Sequence, residues 1–269
     1  MVANVLSIAG TDPSGGAGLQ ADIKTFSALG TYGMGVVTAV VAQNTQGVRG
    51  FQPLDPDFVG QQLDAVMDDV RVDAVKIGMV ANAGIIRALA ERIDRYSIRN
   101  VVLDPVMAAK SGDTLLAADA INAVRNELVP RATIITPNLP EADLLLDCTP
   151  AGTHEQMAER AVELHALGPS WVLLKGGHMA GADSVDFLYG GHEAPQRLAA
   201  PRVDTHNDHG TGCTLSSAIA ALLPSLSVPD ATARAKHYLS QALAASDTLD
   251  VGHGHGPVHH FHQLWPREA

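Results

Sequence analysis

Val2-Ala-Asn-Val-Leu-Ser-Ile-Ala-Gly10, Thr11-Asp-Pro-Ser-Gly-Gly-Ala-Gly18 and Leu19-Gln-Ala-Asp-Ile-Lys-Thr-Phe-Ser-Ala-Leu29 follow one another without interruption. The first segment is a short apolar run and reads as a strand buried on both faces. The second is a glycine-rich loop. The third sets apolar residues at positions 19, 23, 26 and 29 along one helical face, with Gly30 as its stop. Strand, loop and helix together open a βαβ unit.

The same alternation continues down the chain. Strands are expected at 35–41, 74–77, 100–103, 132–136 and 171–175, and helices at 55–70, 82–96, 117–128, 138–146 and 153–167. Val185–Leu188 and Gln196–Pro201 read as an antiparallel pair at one edge. A polar, glycine-rich stretch beginning at Asn207 passes into a small-residue helix to Ala221, and a last helix spans 229–249. Strands alternating with helices of ~10–15 residues imply right-handed crossovers. The expected architecture is one α/β domain over 1–269, a three-layer αβα stack with a mostly parallel sheet and helices on both faces. In such a sheet ligands bind beyond the carboxyl ends of the strands. The loops there, 10–18, 43–47, 78–82, 104–112, 138–141, 176–179 and 208–213, hold most of the unusual polar residues of the chain, which points to an enzyme.

Composition narrows the class. Hydrophobic residues make up 46% and charged residues 17%, and the net charge of −11 argues against a general nucleic-acid surface. No apolar run reaches the ~18 residues of a membrane span and no leader pattern is present, so a soluble cytoplasmic protein is expected. Cys148 and Cys213 build no disulfide framework. No P-loop motif occurs, the first loop lacks G-x-G-x-x-G, and the strand at 35–41 ends without an acidic residue, so a Rossmann dehydrogenase is disfavoured.

Four features carry candidate chemistry, each with a plainer alternative. Gly210 and Gly212 precede a helix whose first N–H groups lack internal partners, which makes an anion seat or an ordinary capped helix start. Asp104, Asn138 and Glu141 offer hard oxygen donors to a hydrated Mg²⁺, while Asn138 and Glu141 also match a capping box. Lys175 ends an apolar strand before two glycines and reaches a phosphate there, or only marks the sheet edge. The histidines between Gly252 and His262 suggest a transition metal, yet their spacing keeps no common face. A loop covering the ligand edge, or a subunit contact, is the alternative role.

In combination the motifs say more. Ala9-Gly-Thr-Asp-Pro-Ser-Gly-Gly-Ala-Gly-Leu-Gln-Ala-Asp22, Ala42-Gln-Asn-Thr45, Lys76-Ile-Gly-Met79, Leu103-Asp-Pro-Val-Met107, Lys110-Ser-Gly112, Thr136-Pro-Asn-Leu-Pro-Glu141, Lys175-Gly-Gly-His178, His209-Gly-Thr-Gly-Cys-Thr214 and Gly256-Pro-Val-His-His260 occur in this order. Together they resemble the hydroxymethylpyrimidine/phosphomethylpyrimidine kinases of thiamine biosynthesis, in the ribokinase-like superfamily. The resemblance implies transfer of the γ-phosphoryl of ATP, with Mg²⁺, to 4-amino-5-hydroxymethyl-2-methylpyrimidine and then to its monophosphate. It implies that Gln43 reads the amino edge of the pyrimidine and that Gly10, Asp22, Met79 and Val106 line the pocket. It gives Lys175 to the ATP phosphates, Asp104 and Glu141 to Mg²⁺ through water, and Gly210, Thr211, Gly212 and Cys213 to the anion hole. A homodimer is common among such relatives. Cys213 stands where sugar kinases of the superfamily carry a catalytic aspartate, and its place at a helix N-terminus is expected to lower the thiol pKa from ~8.5. A pyridoxal-type kinase and a pyrimidine-binding protein without catalysis are the competing expectations.

Overall fold

The computed structural model describes residues 1–107 and 116–265. The segment Lys110-Ser-Gly112 and the end of the 104–112 loop therefore lie outside the described residues. The parallel core of the sheet comprises β1 (Asn4–Ala9), β2 (Tyr32–Val37), β5 (Ala74–Ile77), β6 (Val101–Leu103), β7 (Ile134–Ile135) and β8 (Trp171–Leu174). The hairpin β9 (Asp183–Tyr189) and β10 (Gln196–Pro201) extends it antiparallel, giving the order β10-β9-β8-β7-β6-β5-β1-β2. The expected edge pair is thus present.

Alternation along each strand sorts the side chains into two cores. Leu6, Ile8, Val75, Ile77, Val101, Leu103, Ile135, Val172 and Leu174 face one layer of helices. That layer is α2 (Pro56–Met67), α3 (Ala83–Arg95), α4 (Ala118–Ala123), α5 (Leu139–Leu146) and α6 (His154–His165). Val5, Ala74, Val102, Ile134 and Leu173 face the other, where α1 (Gly18–Ala28), α7 (Thr211–Leu222) and α8 (Val228–Ala244) pack. Asp55 caps α2 by accepting Asp57 N–H at 2.9 Å, and Asn82 caps α3 by accepting Ile85 N–H at 2.9 Å.

The expected strand at 35–41 is two strands. The main sheet ends at Val37, and Thr38 turns the chain out of it. The Thr38 amide donates to Ala9 O at 3.1 Å and its hydroxyl to Met79 O at 2.6 Å. β3 (Ala39–Asn44) then pairs with β4 (Gly47–Pro53), a strand not expected from the sequence, in a separate two-stranded sheet with a bulge at Ala42/Gln43. The β-branched run gives no local signal for that break, because its cause is the hydrogen bonding of Thr38 to β1 and to the loop after β5.

Chain order places the ligand crevice. From β1 the chain steps to β2 on one side and then to β5 on the other, so the strand order reverses between β1 and β5. Loops leave the carboxyl ends of those two strands in opposite directions, opening a cleft at that point.

Beneath the cleft lies an ion pair fully removed from solvent. Lys76 of β5 donates to both oxygens of Asp22 of α1, at 2.9 and 2.8 Å. Ser7 of β1 and Ser217 of α7 donate to the same carboxylate at 2.6 and 2.7 Å. Replacing one partner of such a pair leaves the other charge buried alone. Lys76→Met is therefore expected to destabilise the fold by about 3–5 kcal/mol in urea or thermal unfolding, with the double replacement Lys76→Met/Asp22→Leu recovering part of the loss.

Candidate functional site

Gly210 caps α7 in the left-handed conformation, at φ 79°. A Cβ there would lie 1.8 Å from Gly16 O, so only glycine brings the turn against the first loop. No side chain caps α7, and Thr211 and Gly212 at its start line the cleft.

Gly212 lies against a charged cluster, with its Cβ position 3.4 Å from Lys175 Nζ and 3.6 Å from Asp104 Oδ2. Lys175 donates to Asp104 Oδ1 at 2.8 Å, and Thr136 donates to the same oxygen at 3.1 Å. Burial works against ionisation of Asp104, but Lys175 and Lys76 outweigh it and hold its carboxyl below the usual range. Glu141 behaves oppositely. Burial, with Asp104 adding, pushes it up to about 7 against the pull of Lys175. The capping box is present as well, with Asn138 Oδ1 accepting Glu141 N–H at 2.9 Å and Glu141 Oε2 accepting Asn138 N–H at 2.8 Å. The two readings of Asn138 and Glu141 are therefore compatible, since the box leaves Glu141 within the field of Lys175 and Asp104.

On the other side of the turn the backbone of Gly10 adjoins Met79 and Val41, with its Cβ position 3.0 Å from Met79 Sδ and 3.6 Å from Val41 Cγ2. Val106 follows Asp104 in a tight turn, its amide donating to Asp104 O at 2.8 Å. Gln43 sits at the bulge of β3, near Asp12, whose charged form it favours. Asp22 is placed with Lys76 behind the wall of the cleft and has no solvent-exposed surface.

Cys213 departs from expectation. Its thiol is pushed up to about 11, chiefly by burial, with Asp22 and Asp104 adding and Lys76 and the Gly18 amide opposing. Desolvation beside two carboxylates thus outweighs the helix terminus.

The histidine-rich segment is a cover. His255 N–H donates to Thr45 O at 2.8 Å, Gly254 N–H to Thr45 Oγ1 at 3.1 Å, and His209 N–H to Gly256 O at 3.0 Å. His260 meets Thr214 at 3.2 Å, and burial pushes its imidazole down to about 3, so it is neutral. Among the described residues no group of three or more His, Cys, Asp or Glu is arranged to hold a metal ion.

Sequence reasoning missed one wall of the cleft. A cavity of about 780 Å³ runs from Asn138, Lys175 and Gly212 to Asp186, Arg202, Leu215, Lys236, Leu239 and Leu243. Its lining mixes charged and polar groups with the leucines. Lys236 of α8 pairs with Asp186 of β9 at 2.5 Å, and the second oxygen of Asp186 accepts Gly176 N–H at 2.9 Å. Nothing local marks these residues, because strand pairing and helix packing bring them together. Asp12 was likewise visible only as part of a loop.

A family model described as phosphomethylpyrimidine kinase matches residues 12–259. The chain belongs to that family. A hydroxymethylpyrimidine/phosphomethylpyrimidine kinase of Escherichia coli is 57% identical over 97% of this chain and 98% of its own length. Among solved structures, a Bacillus subtilis pyridoxal kinase in an ADP complex is 37% identical with a TM-score of 0.88, covering 97% of this chain and 98% of that one. A Staphylococcus aureus pyridoxal kinase in complex with AMP-PCP and pyridoxal is 31% identical with a TM-score of 0.89, covering 98% and 95%. The ribokinase-like αβα architecture is thus shared with pyridoxal kinases. No helix in the described residues of this phosphomethylpyrimidine kinase family member is long and apolar enough to cross a membrane.

A thiol near 11 is almost entirely protonated at neutral pH. Alkylation of Cys213 by iodoacetamide, followed by peptide mass spectrometry, is expected to be slow at pH 7.5. It should rise about tenfold per pH unit up to pH 10, since only the thiolate reacts. A rate that is fast and flat across neutral pH would contradict this electrostatic picture.

Proposed function

We propose that this chain uses ATP to phosphorylate 4-amino-5-hydroxymethyl-2-methylpyrimidine and then phosphorylates the monophosphate to the diphosphate, in thiamine biosynthesis. The observation that carries this reading is the junction at Gly212, where an uncapped helix N-terminus meets the Lys175–Asp104 pair. The full-length likeness to a bifunctional kinase of the same two substrates supports it. The reading takes 1–269 as one cytoplasmic kinase domain and includes a homodimer, for which exposed Tyr32 and Val40 offer apolar surface.

Phosphoryl transfer asks for alignment and charge neutralisation rather than covalent help. ATP lies in the 780 Å³ cavity, its base toward Leu239 and Leu243 and its phosphates toward Lys175 and Gly212. The N–H groups of Thr211, Gly212 and Cys213 stabilise charge on the moving phosphoryl group, and Lys175 neutralises the phosphates on the other side. The acceptor ring rests among Gly10, Met79 and Val106, with Gln43 at its amino edge. Asp22 contributes from behind, by fixing Lys76.

Asp104 and Glu141 fit Mg²⁺ as hard oxygen donors acting through water, too few to cage the ion without phosphate oxygens. When bound, the ion neutralises charge on the transferring phosphate oxygens. Glu141, which burial pushes up to about 7, would be drawn to its charged form beside a cation.

A neutral Cys213 suits a site with two acceptors. The hydroxyl needs little base assistance in a loose transition state. The monophosphate, with a second pKa of about 6, is largely dianionic. A carboxylate 4 Å from one such charge would cost ~4 kcal/mol at an effective dielectric of 20. The thiol avoids that repulsion in the second step.

Chromatographic assay with ATP, Mg²⁺ and the hydroxymethylpyrimidine is expected to show the monophosphate and then the diphosphate. Nucleotide binding without turnover would indicate a non-catalytic pyrimidine binder, and preference for pyridoxal in competition would indicate a pyridoxal kinase. Cys213→Asp is expected to slow the second phosphorylation at least about tenfold more than the first. Equal losses on the two acceptors would remove the charge argument.

A further inference from the structure

Asp12 is fully buried, and three of the hydrogen bonds to its carboxylate come from its own loop. Ser14 N–H and Ser14 Oγ donate to Oδ1 at 2.9 and 2.7 Å, and Ala17 N–H donates to Oδ2 at 2.8 Å. These bonds suffice to hold the loop. A further partner comes from 197 residues away, where His209 Nε2 meets Oδ2 at 2.8 Å. His209 immediately precedes Gly210, the cap of α7. Its ring fills the space a side chain at Gly16 would need, since a Cβ there would lie 2.4 Å from His209 Cδ2. Gln43 lies near enough to the same carboxylate to favour its charged form. One buried group thus joins the first loop to the entry of the anion-binding turn, with Gln43 close by.

We propose that the Asp12–His209 pair is a positioning device that locks the acceptor side of the cleft to the phosphoryl-binding turn, so that acceptor and phosphoryl group share one rigid frame. The inference rests on the kinase reading above. Neither residue touches the reacting atoms in this scheme. Their effect runs through the placement of Gln43 and of the Gly210–Cys213 amides. Misplacement of reacting groups by about 1 Å costs on the order of 100-fold in rate even when its source is remote. The nucleotide cavity is walled mainly by other elements, so ATP binding should not follow the same loss.

The test compares Asp12→Asn, His209→Ala, His209→Gln and Asp12→Asn/His209→Ala in the full chain. The assays run well below each melting temperature, with ATP affinity measured separately by calorimetry. Asp12→Asn and His209→Ala should each lower kcat roughly 10- to 100-fold while the Kd for ATP stays within about twofold. The double variant should be no slower than the worse single one, and His209→Gln, which keeps a side-chain N–H donor, should recover most of the rate. Unchanged kcat in His209→Ala, losses that multiply in the double variant, or ATP affinity falling in parallel with kcat would each overturn the proposal. If Asp12→Asn does not fold, the contrast between His209→Ala and His209→Gln decides the matter. If the unmodified chain fails to phosphorylate the hydroxymethylpyrimidine, the functional reading falls instead. Hydrogen exchange then decides, with the amides of residues 10–18 exchanging at least about tenfold faster in His209→Ala if the lock exists and unchanged if it does not.

Discussion

A carboxylate withdrawn wholly from water has to be given partners, and the partners chosen for Asp22 tie the centre of this molecule together. Lys76, Ser7 and Ser217 reach it from β5, β1 and α7, while Asp22 itself comes from α1. Four elements that border the cleft are thereby pinned at one point. The arrangement also puts an ammonium group beneath the site, where it helps to keep Asp104 ionised and opposes the rise of the Cys213 thiol. Desolvation makes such a centre costly to break, which is how a polar group buried under a cleft can serve as its foundation.

Above that foundation the charges are graded. Asp104 is held ionised by two lysines, Glu141 is held near neutrality by burial, and Cys213 stays protonated. Three acidic groups close together would repel an incoming nucleotide if all were charged. Here one is charged, one is poised and one is neutral. The start of α7 and the Lys175 ammonium therefore have little uncompensated negative charge beside them.

Most of the parallel sheet was legible in the sequence because its strands are short apolar runs bounded by helices with clear caps, as at Asp55, Asn82, Asn138 and Thr153. The break at Thr38 was not, since Val36–Val41 has the same local character on both sides of it and the deciding hydrogen bonds come from distant segments. The meeting of Gly212, Lys175 and Asp104 was foreshadowed by three separate loops at strand ends, each holding one of them. The site's nucleotide wall was not, because Asp186, Lys236 and Leu239 meet only through packing. The thiol of Cys213 was misjudged for a related reason. A helix terminus can be seen in the sequence, whereas the depth of burial that overrides it cannot.

The cover formed by the histidine-rich segment bears on how the molecule is made. Thr214, in the first turn of α7, meets His260, 46 residues further along, and Thr45 is gripped by Gly254 across 209 residues. During synthesis the sheet and most of its helices can assemble while this strap is still inside the ribosome. The start of α7 and the β3–β4 hairpin then remain unfastened on one side. The bonds that fasten these two segments to the strap therefore form only after every strand of the sheet has been made.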